Sequence, residues 1–409
     1  SKPSKEQIIK QAFNFHSQGN ITEAAKLYQY FINQDFNDHR VFSNYGVILK
    51  NLGRLKEAEL STRKSIALNP NYADAYLILG NILNFLGKLR EAELSIRKAI
   101  ELNPNNAIAH SNLGKILSDL NKLQEAEISY RKAIALNPNY ADAYFNLSTI
   151  ELLKGNYKSG LENYEFRFKG KKRIIPHGKT NIKKVNQQKI KTGEKLLVIS
   201  EQGLGDTLQY MRYIPYLRIQ GLDVSFSAQE KLHSLIKSSG IDHNPLTPSE
   251  ANSVSEGKWI PLLSVPRYLQ ISPKNPIISE PYIYSTAELN KKWKDIFSKA
   301  RRPLIGINWQ GNKEIEKRTY QGRSIPLENF SILANNYEIT MISLQKGFGS
   351  EQLKNCSFKN KFIECQPRID LTWDFLENAA IIENCDLIIT CDTSMAHLAG
   401  GMGKKVWLL

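Results

Sequence analysis

The sequence predicts an all-α superhelix followed by a pair of parallel α/β lobes, the second of them incomplete, and three observations carry that reading. Residues 1–170 repeat with a period of 34, each period holding two amphipathic helical stretches. From Lys195 onward the pattern becomes short apolar runs alternating with helical segments, as buried parallel sheets require. The last 24 residues, DLIITCDTSMAHLAGGMGKKVWLL, read as strand, polar turn, small-residue helix and strand.

At 409 residues, 41% hydrophobic and 10% aromatic, the chain has room for two or three domains with cores. Its N-terminus, SKPSKEQIIK, carries no apolar core resembling a signal peptide, and no run approaches the ~18 apolar residues of a membrane span, so a cytoplasmic location is expected. Cys356, Cys365, Cys385 and Cys391 lack C-x-x-C spacing and a histidine pattern, which favours reduced, buried thiols and no metal site. The net charge is +15, of which ten Lys/Arg against one acid between Lys169 and Lys195 supply nine. That segment reads as a solvated basic linker over 171–194 rather than a nucleic-acid-reading face, with electrostatic contact to RNA, acidic protein or anionic lipid as the alternative.

The helical part divides at Ser1, Asp35, Asn69, Asn103 and Asn137, and Pro70, Pro104 and Pro138 each close a unit because proline cannot continue a helix. Small residues recur where paired helices must approach: Ala12, Gly46, Gly80, Gly114 and Ser148 on first helices, then Ala24, Ala58, Ala92, Ala126 and Gly160 on second ones. A 34-residue, two-helix period of this kind resembles the tetratricopeptide repeat. Such units bury their apolar faces only by stacking, so five of them over 1–170 form one superhelix with a concave, partner-holding surface. Asn44, Asn112 and Asn146 stand at equivalent first-helix positions, with Ile78 and Lys10 in the other two units. Their amides can hydrogen-bond the main chain of an extended peptide, or they are solvated polar positions. Glu151 and Arg167 break the pattern of the fifth unit, which suits a terminal repeat docking onto something polar through Tyr164, Phe166 and Phe168.

The first lobe, 195–285, opens with strand Lys195–Ser200, a helix over Thr207–Ile219, strand Val224–Ala228 and a helix over Gln229–Ser239. An irregular stretch follows, with strand candidates at Trp259–Leu263 and Tyr282–Tyr284. A charged helix, Thr286–Ala300, lies within an interlobe segment over 286–302. The second lobe, 303–409, then gives strand Leu304–Trp309, helix Leu327–Asn335, strands Ile339–Leu344 and Phe362–Cys365, helix Asp374–Asn384 and the closing stretch. Because the chain stops at Leu409 inside a strand, this lobe is expected to be incomplete.

Two turns hold the candidate chemistry. Gly203-Leu204-Gly205-Asp206 follows the first strand, where Gly203 and Gly205 allow close backbone approach and Asp206 is either a helix N-cap or a carboxylate able to take a proton from an acceptor hydroxyl. Gln209 lies one turn further along that cleft loop. In the second lobe, Asn312, Lys313, Lys317, Arg318 and Arg323 gather on one loop above the sheet that ends at Cys391-Asp392-Thr393-Ser394. Cations facing a helix N-terminus suit a diphosphate leaving group.

EQGLGDTLQYMRYIPYL, NWQGN with RSIPLENF, ISLQKG and CDTSMAHLAGGMGKKVWLL together resemble the glycosyltransferase family 9, heptosyltransferase-like domain over 195–409. The resemblance implies a GT-B pair of Rossmann-like lobes and metal-independent, inverting transfer from a nucleotide sugar, which is a substrate rather than a cofactor. It makes Asp206 the general base and Asp392, Thr393, Ser394 and His397 the donor motif, with Asn312, Lys313 and Arg323 beside it. Ser394 stands where heptosyltransferases often have Gly. The architecture is also similar to O-GlcNAc transferase, whose asparagine ladder holds protein substrates. The expected function is therefore sugar transfer to an acceptor hydroxyl, with a protein or peptide partner in the repeat groove. The alternative is a non-catalytic interaction scaffold with an incomplete transferase lobe.

Overall fold

The computed structural model describes residues 3–186, 190–277, 280–312 and 323–409. It divides into two compact units, Ser1–Arg173 and Ile174–Leu409.

The first unit is built from consecutive helix pairs: α1 (Lys5–Ser17) with α2 (Ile21–Asn33), α3 (His39–Asn51) with α4 (Leu55–Leu68), α5 (Ala73–Phe85) with α6 (Leu89–Leu102), α7 (Ala107–Asp119) with α8 (Leu123–Leu136), and α9 (Ala141–Leu153) with α10 (Tyr157–Tyr164). Each first helix is ended by a left-handed residue: Gly19, Gly53, Gly87 and Gly155 at φ 75–79°, and Asn121 at 59°. Those are the residue types that adopt this conformation most cheaply. The small residues do the packing their spacing implies. A Cβ on Gly46 would collide with Thr62 Oγ1, one on Gly80 would meet Ile96 Cδ1 at 2.5 Å, and one on Gly114 would meet the Tyr130 ring at 2.8 Å. The partner thus grows from Thr to Ile to Tyr along the array while the glycine stays fixed.

A charged ladder ties one repeat to the next. Glu59 accepts from Arg63 (2.8 Å) and from Lys88 of the following unit (3.0 Å). Glu93 is held in the same way by Arg97 (2.9 Å) and Lys122 (2.9 Å), and Glu127 by Arg131 (2.9 Å) and Lys154 (2.6 Å). Burial pushes the Glu59 and Glu93 carboxyls up, but these donors outweigh it and leave both below the usual range.

The fifth unit buries the two residues that break its pattern. Glu151 is fully buried and accepts from Arg131 (2.9 Å) and Asn163 (2.7 Å). Arg167 is equally buried, its guanidinium 4.5 Å from the Tyr164 ring centroid and 4.1 Å from that of Phe168, with Glu165 at 2.9 Å. Phe166 stacks on Tyr144. Each of the two buried charges thus has an opposite charge beside it, as burial demands.

The second unit holds two parallel sheets. In the first, β1 (Lys183–Lys184), β2 (Lys195–Ile199), β3 (Asp223–Ser227) and β4 (Lys258–Pro261) lie in the order β1-β4-β2-β3. In the second, β5 (Leu304–Asn308), β6 (Thr340–Ser343), β7 (Leu387–Thr390) and β8 (Val406–Leu408) lie in the order β6-β5-β7-β8. Every strand pair is parallel.

Several sequence expectations are corrected here. The 171–194 segment is not a solvated linker: β1 pairs with β4, the Val185 amide donates to Trp259 O, His177 N donates to Ser200 O, and Val185 and Ile190 are buried. The single helix expected over Thr207–Ile219 is two, α11 (Leu204–Tyr210) and α12 (Tyr213–Ile219). Pro215 has no N–H for the Met211 carbonyl and its ring clashes there, so the chain breaks between them. Tyr282–Tyr284 is not a strand, since Tyr282 N and Ile283 N instead donate to Gly401 O. Phe362–Cys365 shrinks to a single bridge, Met341 with Phe362.

Candidate functional site

Asn44, Asn112 and Asn146 are all half-buried on the first helices α3, α7 and α9. Asn44 hydrogen-bonds the Tyr28 side chain. Asn112 Nδ2 donates to Asn81 Oδ1 at 2.8 Å. Asn81 lies on α5, 31 residues earlier, and was not singled out from sequence because it falls outside the 34-residue register. An amide pair of this kind still leaves the Asn112 oxygen and the Asn81 NH₂ with unused capacity, one acceptor and one donor side by side.

In the second unit, chain order locates a crevice. After β2 the chain adds β3 on one side and then β4 on the other, and after β5 it adds β6 on one side and then β7 on the other. Each sheet therefore reverses direction at β2/β4 and β5/β7, and the carboxyl ends of such strands are where parallel sheets bind ligands. The loops leaving β2 and β7 are the ones that carry Gly203–Asp206 and Asp392–Ser394. The helices that follow, α11 and α19 (Ser394–Gly401), pack on each other across the two lobes. (Helices α13, His233–Ser238, α14, Val265–Tyr268, α15, Ala287–Ile296, α16, Ser331–Asn336, α17, Gln366–Asp370, and α18, Leu376–Glu383, complete the unit.)

Contact between α11 and α19 is close because Gly205 has no side chain: a Cβ there would lie 2.8 Å from His397 Cδ2 and 3.5 Å from Ser394 Cα. Asp206 is not the N-cap. That position is Gly203, and Asp206 sits three residues later, its Oδ2 accepting from Gly203 N at 2.9 Å. Burial raises the Asp206 carboxyl above its ordinary value, the Gly203 amide and His397 oppose that, and Asp392 adds to it. Burial likewise lowers the His397 imidazole, helped by Arg212 and Arg323 and opposed by Asp206 and Asp392. The pair is thus a desolvated carboxylate beside a ring biased towards neutrality.

Beneath the second-lobe turn lies a buried polar network that the sequence did not signal. Asn308 Oδ1 accepts from Thr393 Oγ1 at 2.9 Å and Thr390 Oγ1 at 3.3 Å, while Asn308 Nδ2 donates to Gln345 Oε1 at 2.8 Å. Thr393 caps α19, its Oγ1 accepting from Met395 N at 3.3 Å. Arg323 is bound to the same turn: its Nε donates to the Asp392 carbonyl and its guanidinium lies 3.4 Å from Asp392 Oδ2. Asn312, which follows β5, is exposed. Gln209 contributes its backbone oxygen to Arg212 Nε at 2.7 Å. Lys313, Lys317 and Arg318 lie outside the described residues. Among the described residues there is no group of three or more His, Cys, Asp or Glu able to hold a metal, and no helix is long and apolar enough to cross a membrane. All four cysteines are free and buried, and burial pushes the Cys365 and Cys385 thiols up to about 12.

Tetratricopeptide repeat family models match residues 39–72, 73–106, 107–140 and 129–162, so this stretch consists of tetratricopeptide repeats. Similar solved structures include MamA from Desulfovibrio magneticus RS-1, 20% identical, covering 40% of this chain and 94% of that one at a TM-score of 0.37. A thermophilic TPR protein of Thermus thermophilus is 19% identical over 41% of this chain and 92% of its own, at 0.36. YrrB, described as a TPR protein with an unusual peptide-binding site, is 22% identical over 41% and 86%, at 0.36. No curated protein matches the chain.

Proposed function

We propose that the chain is a partner-binding scaffold whose tetratricopeptide repeats hold an extended peptide along the amide row of the first helices. The observation that carries this is the Asn112–Asn81 pair, which presents an acceptor and a donor together, with half-buried Asn146 at the equivalent position of the next repeat. Main-chain recognition needs that combination and reads no side chains. The test is selection of binding peptides from a random displayed library, followed by titration against an Asn112→Ala/Asn146→Ala variant. Two lost hydrogen bonds should weaken binding about tenfold in a variant whose circular dichroism still shows the folded helical array. Equal affinity for both proteins would refute it.

A second reading concerns the α/β unit, and what favours it is the meeting of Asp206 and His397 where two strand reversals face each other. On this reading the unit is a GT-B, metal-independent, inverting glycosyltransferase of the family 9 type. Asp206 takes the proton of an acceptor hydroxyl whose oxygen attacks the anomeric carbon. The bond to the diphosphate breaks with its electrons going to the phosphate oxygen. Thr393 and Ser394 amides and Arg323 then face the departing charge, with Asn312 and His397 lining the donor side. Thermal shift with UDP-, GDP- and ADP-sugars tests it: at least one should raise the melting temperature by about 2 °C or more at tenfold its Kd, and no shift with any of them sinks the reading.

A further inference from the structure

Between α11 and α12, at the break forced by Pro215, stands Arg212, which lies inside the EQGLGDTLQYMRYIPYL stretch but was given no role there. Its guanidinium lies over the Tyr282 ring, 4.7 Å from the centroid, and donates to Tyr282 Oη at 3.1 Å and to Gln209 O at 2.7 Å. Tyr282 is itself fixed from both lobes: its hydroxyl donates to Leu208 O at 2.8 Å, and its amide donates to Gly401 O at 2.9 Å. Arg212 is half-buried and near enough to His397 to disfavour that ring's protonation. Among the described residues, three of its five N–H donors have no partner, and it forms no ion pair with a carboxylate. The nearby carboxylates are engaged elsewhere, Asp392 with Arg323 and Asp206 with Gly203 N.

A positive charge held rigid by an aromatic ring, with Nη1 and one hydrogen of Nη2 left over from its internal bonds, is arranged to take oxyanions bidentately. We propose that Arg212 is the first-lobe cation that binds the diphosphate of a nucleotide ligand seated on the second-lobe turn, an assignment that rests on the transferase reading of this crevice. A ligand phosphate would then be gripped from both lobes, by Arg212 on one side and the Thr393–Ser394 turn on the other. Arg212 so acts on the ligand directly, while Tyr282 positions it.

The experiment is calorimetric titration of the full chain, wild type and Arg212→Gln, with UDP, GDP, ADP, inorganic pyrophosphate and the corresponding nucleosides. Loss of charge-assisted hydrogen bonds should weaken the binding of the preferred nucleoside diphosphate and of pyrophosphate alike, by about 10- to 100-fold, with no change for the nucleoside. Should Arg212→Gln melt lower than wild type, Arg212→Lys decides: it keeps the charge but loses the fork, and an intermediate loss of at least about threefold at wild-type melting temperature supports the assignment. Wild type and both variants binding diphosphate equally overturns the role of Arg212 and leaves the transferase reading standing. A wild-type chain that binds neither a diphosphate nor pyrophosphate overturns both.

Discussion

On the transferase reading, Asp206→Asn is expected to cut sugar transfer by about 10²- to 10⁴-fold, the contribution of a positioned general base, while leaving nucleotide affinity within about twofold and raising the melting temperature. The two halves of this expectation share one cause. Burial raises the Asp206 carboxyl above its ordinary value of 3.8, so the folded chain holds this proton more tightly than the unfolded chain. Stability linked to that proton is present below pH 3.8 and is lost as pH rises through the folded value. At neutral pH the ionised carboxylate is therefore a burden that asparagine removes, while its Oδ1 can still accept from Gly203 N. The stability gained by Asp206→Asn should grow from acid to neutral pH and vanish near pH 3.5. Melting curves of both proteins across that range, with turnover of whichever nucleotide sugar binds, check it. Unchanged turnover together with a lowered melting temperature would make Asp206 a structural reach-back to the N-cap and nothing more.

What could be read from the sequence was whatever repeats or lies close together along the chain. The 34-residue units were legible because a small residue recurs at each helix crossing, and the Gly-x-Gly-Asp and Asp-Thr-Ser turns because each is a contiguous strand-to-helix passage. The support beneath those turns was not legible. Asn308 meets Gln345 and Thr393 across 37 and 85 residues, and no local pattern distinguishes such an asparagine from one facing water. Arg212 was hidden for the same reason, since Tyr282, the ring that fixes it, is 70 residues away. In the basic segment, lysines outnumber Ile182, Val185 and Ile190, and these fall at no regular period. Their burial follows from the free edge of β4, which only the assembled sheet reveals. The burial of Glu151 and Arg167 was hidden too, because the opposite charges beside them, Arg131 and Glu165, look like ordinary surface charges in the sequence.

Gly114→Val should be the most damaging single change in the helical unit, costing about 3 kcal/mol. On helix propensity alone the substitution is slightly favourable, since glycine in a helix interior is about 0.5–1 kcal/mol worse than alanine. The crossing reverses that sign. Even a first carbon on residue 114 would lie 2.8–2.9 Å from three atoms of the Tyr130 ring, and Tyr130 is only 2% exposed, so the ring has no solvent to turn into. Valine adds two further methyls to the same space. Because each repeat is stabilised by its neighbours, separating α7 from α8 weakens the interfaces on both sides, and the array should melt in two steps instead of one. Trimming the obstacle separates overpacking from any general intolerance of the site: Gly114→Val/Tyr130→Ala should recover more than half of the loss seen in Gly114→Val relative to Tyr130→Ala alone, because the added methyls then occupy the space the ring has left. Urea titrations of the four proteins followed by circular dichroism measure the coupling. A Gly114→Val protein that unfolds at the wild-type midpoint would mean the α7–α8 crossing is looser than the Tyr130 ring positions imply.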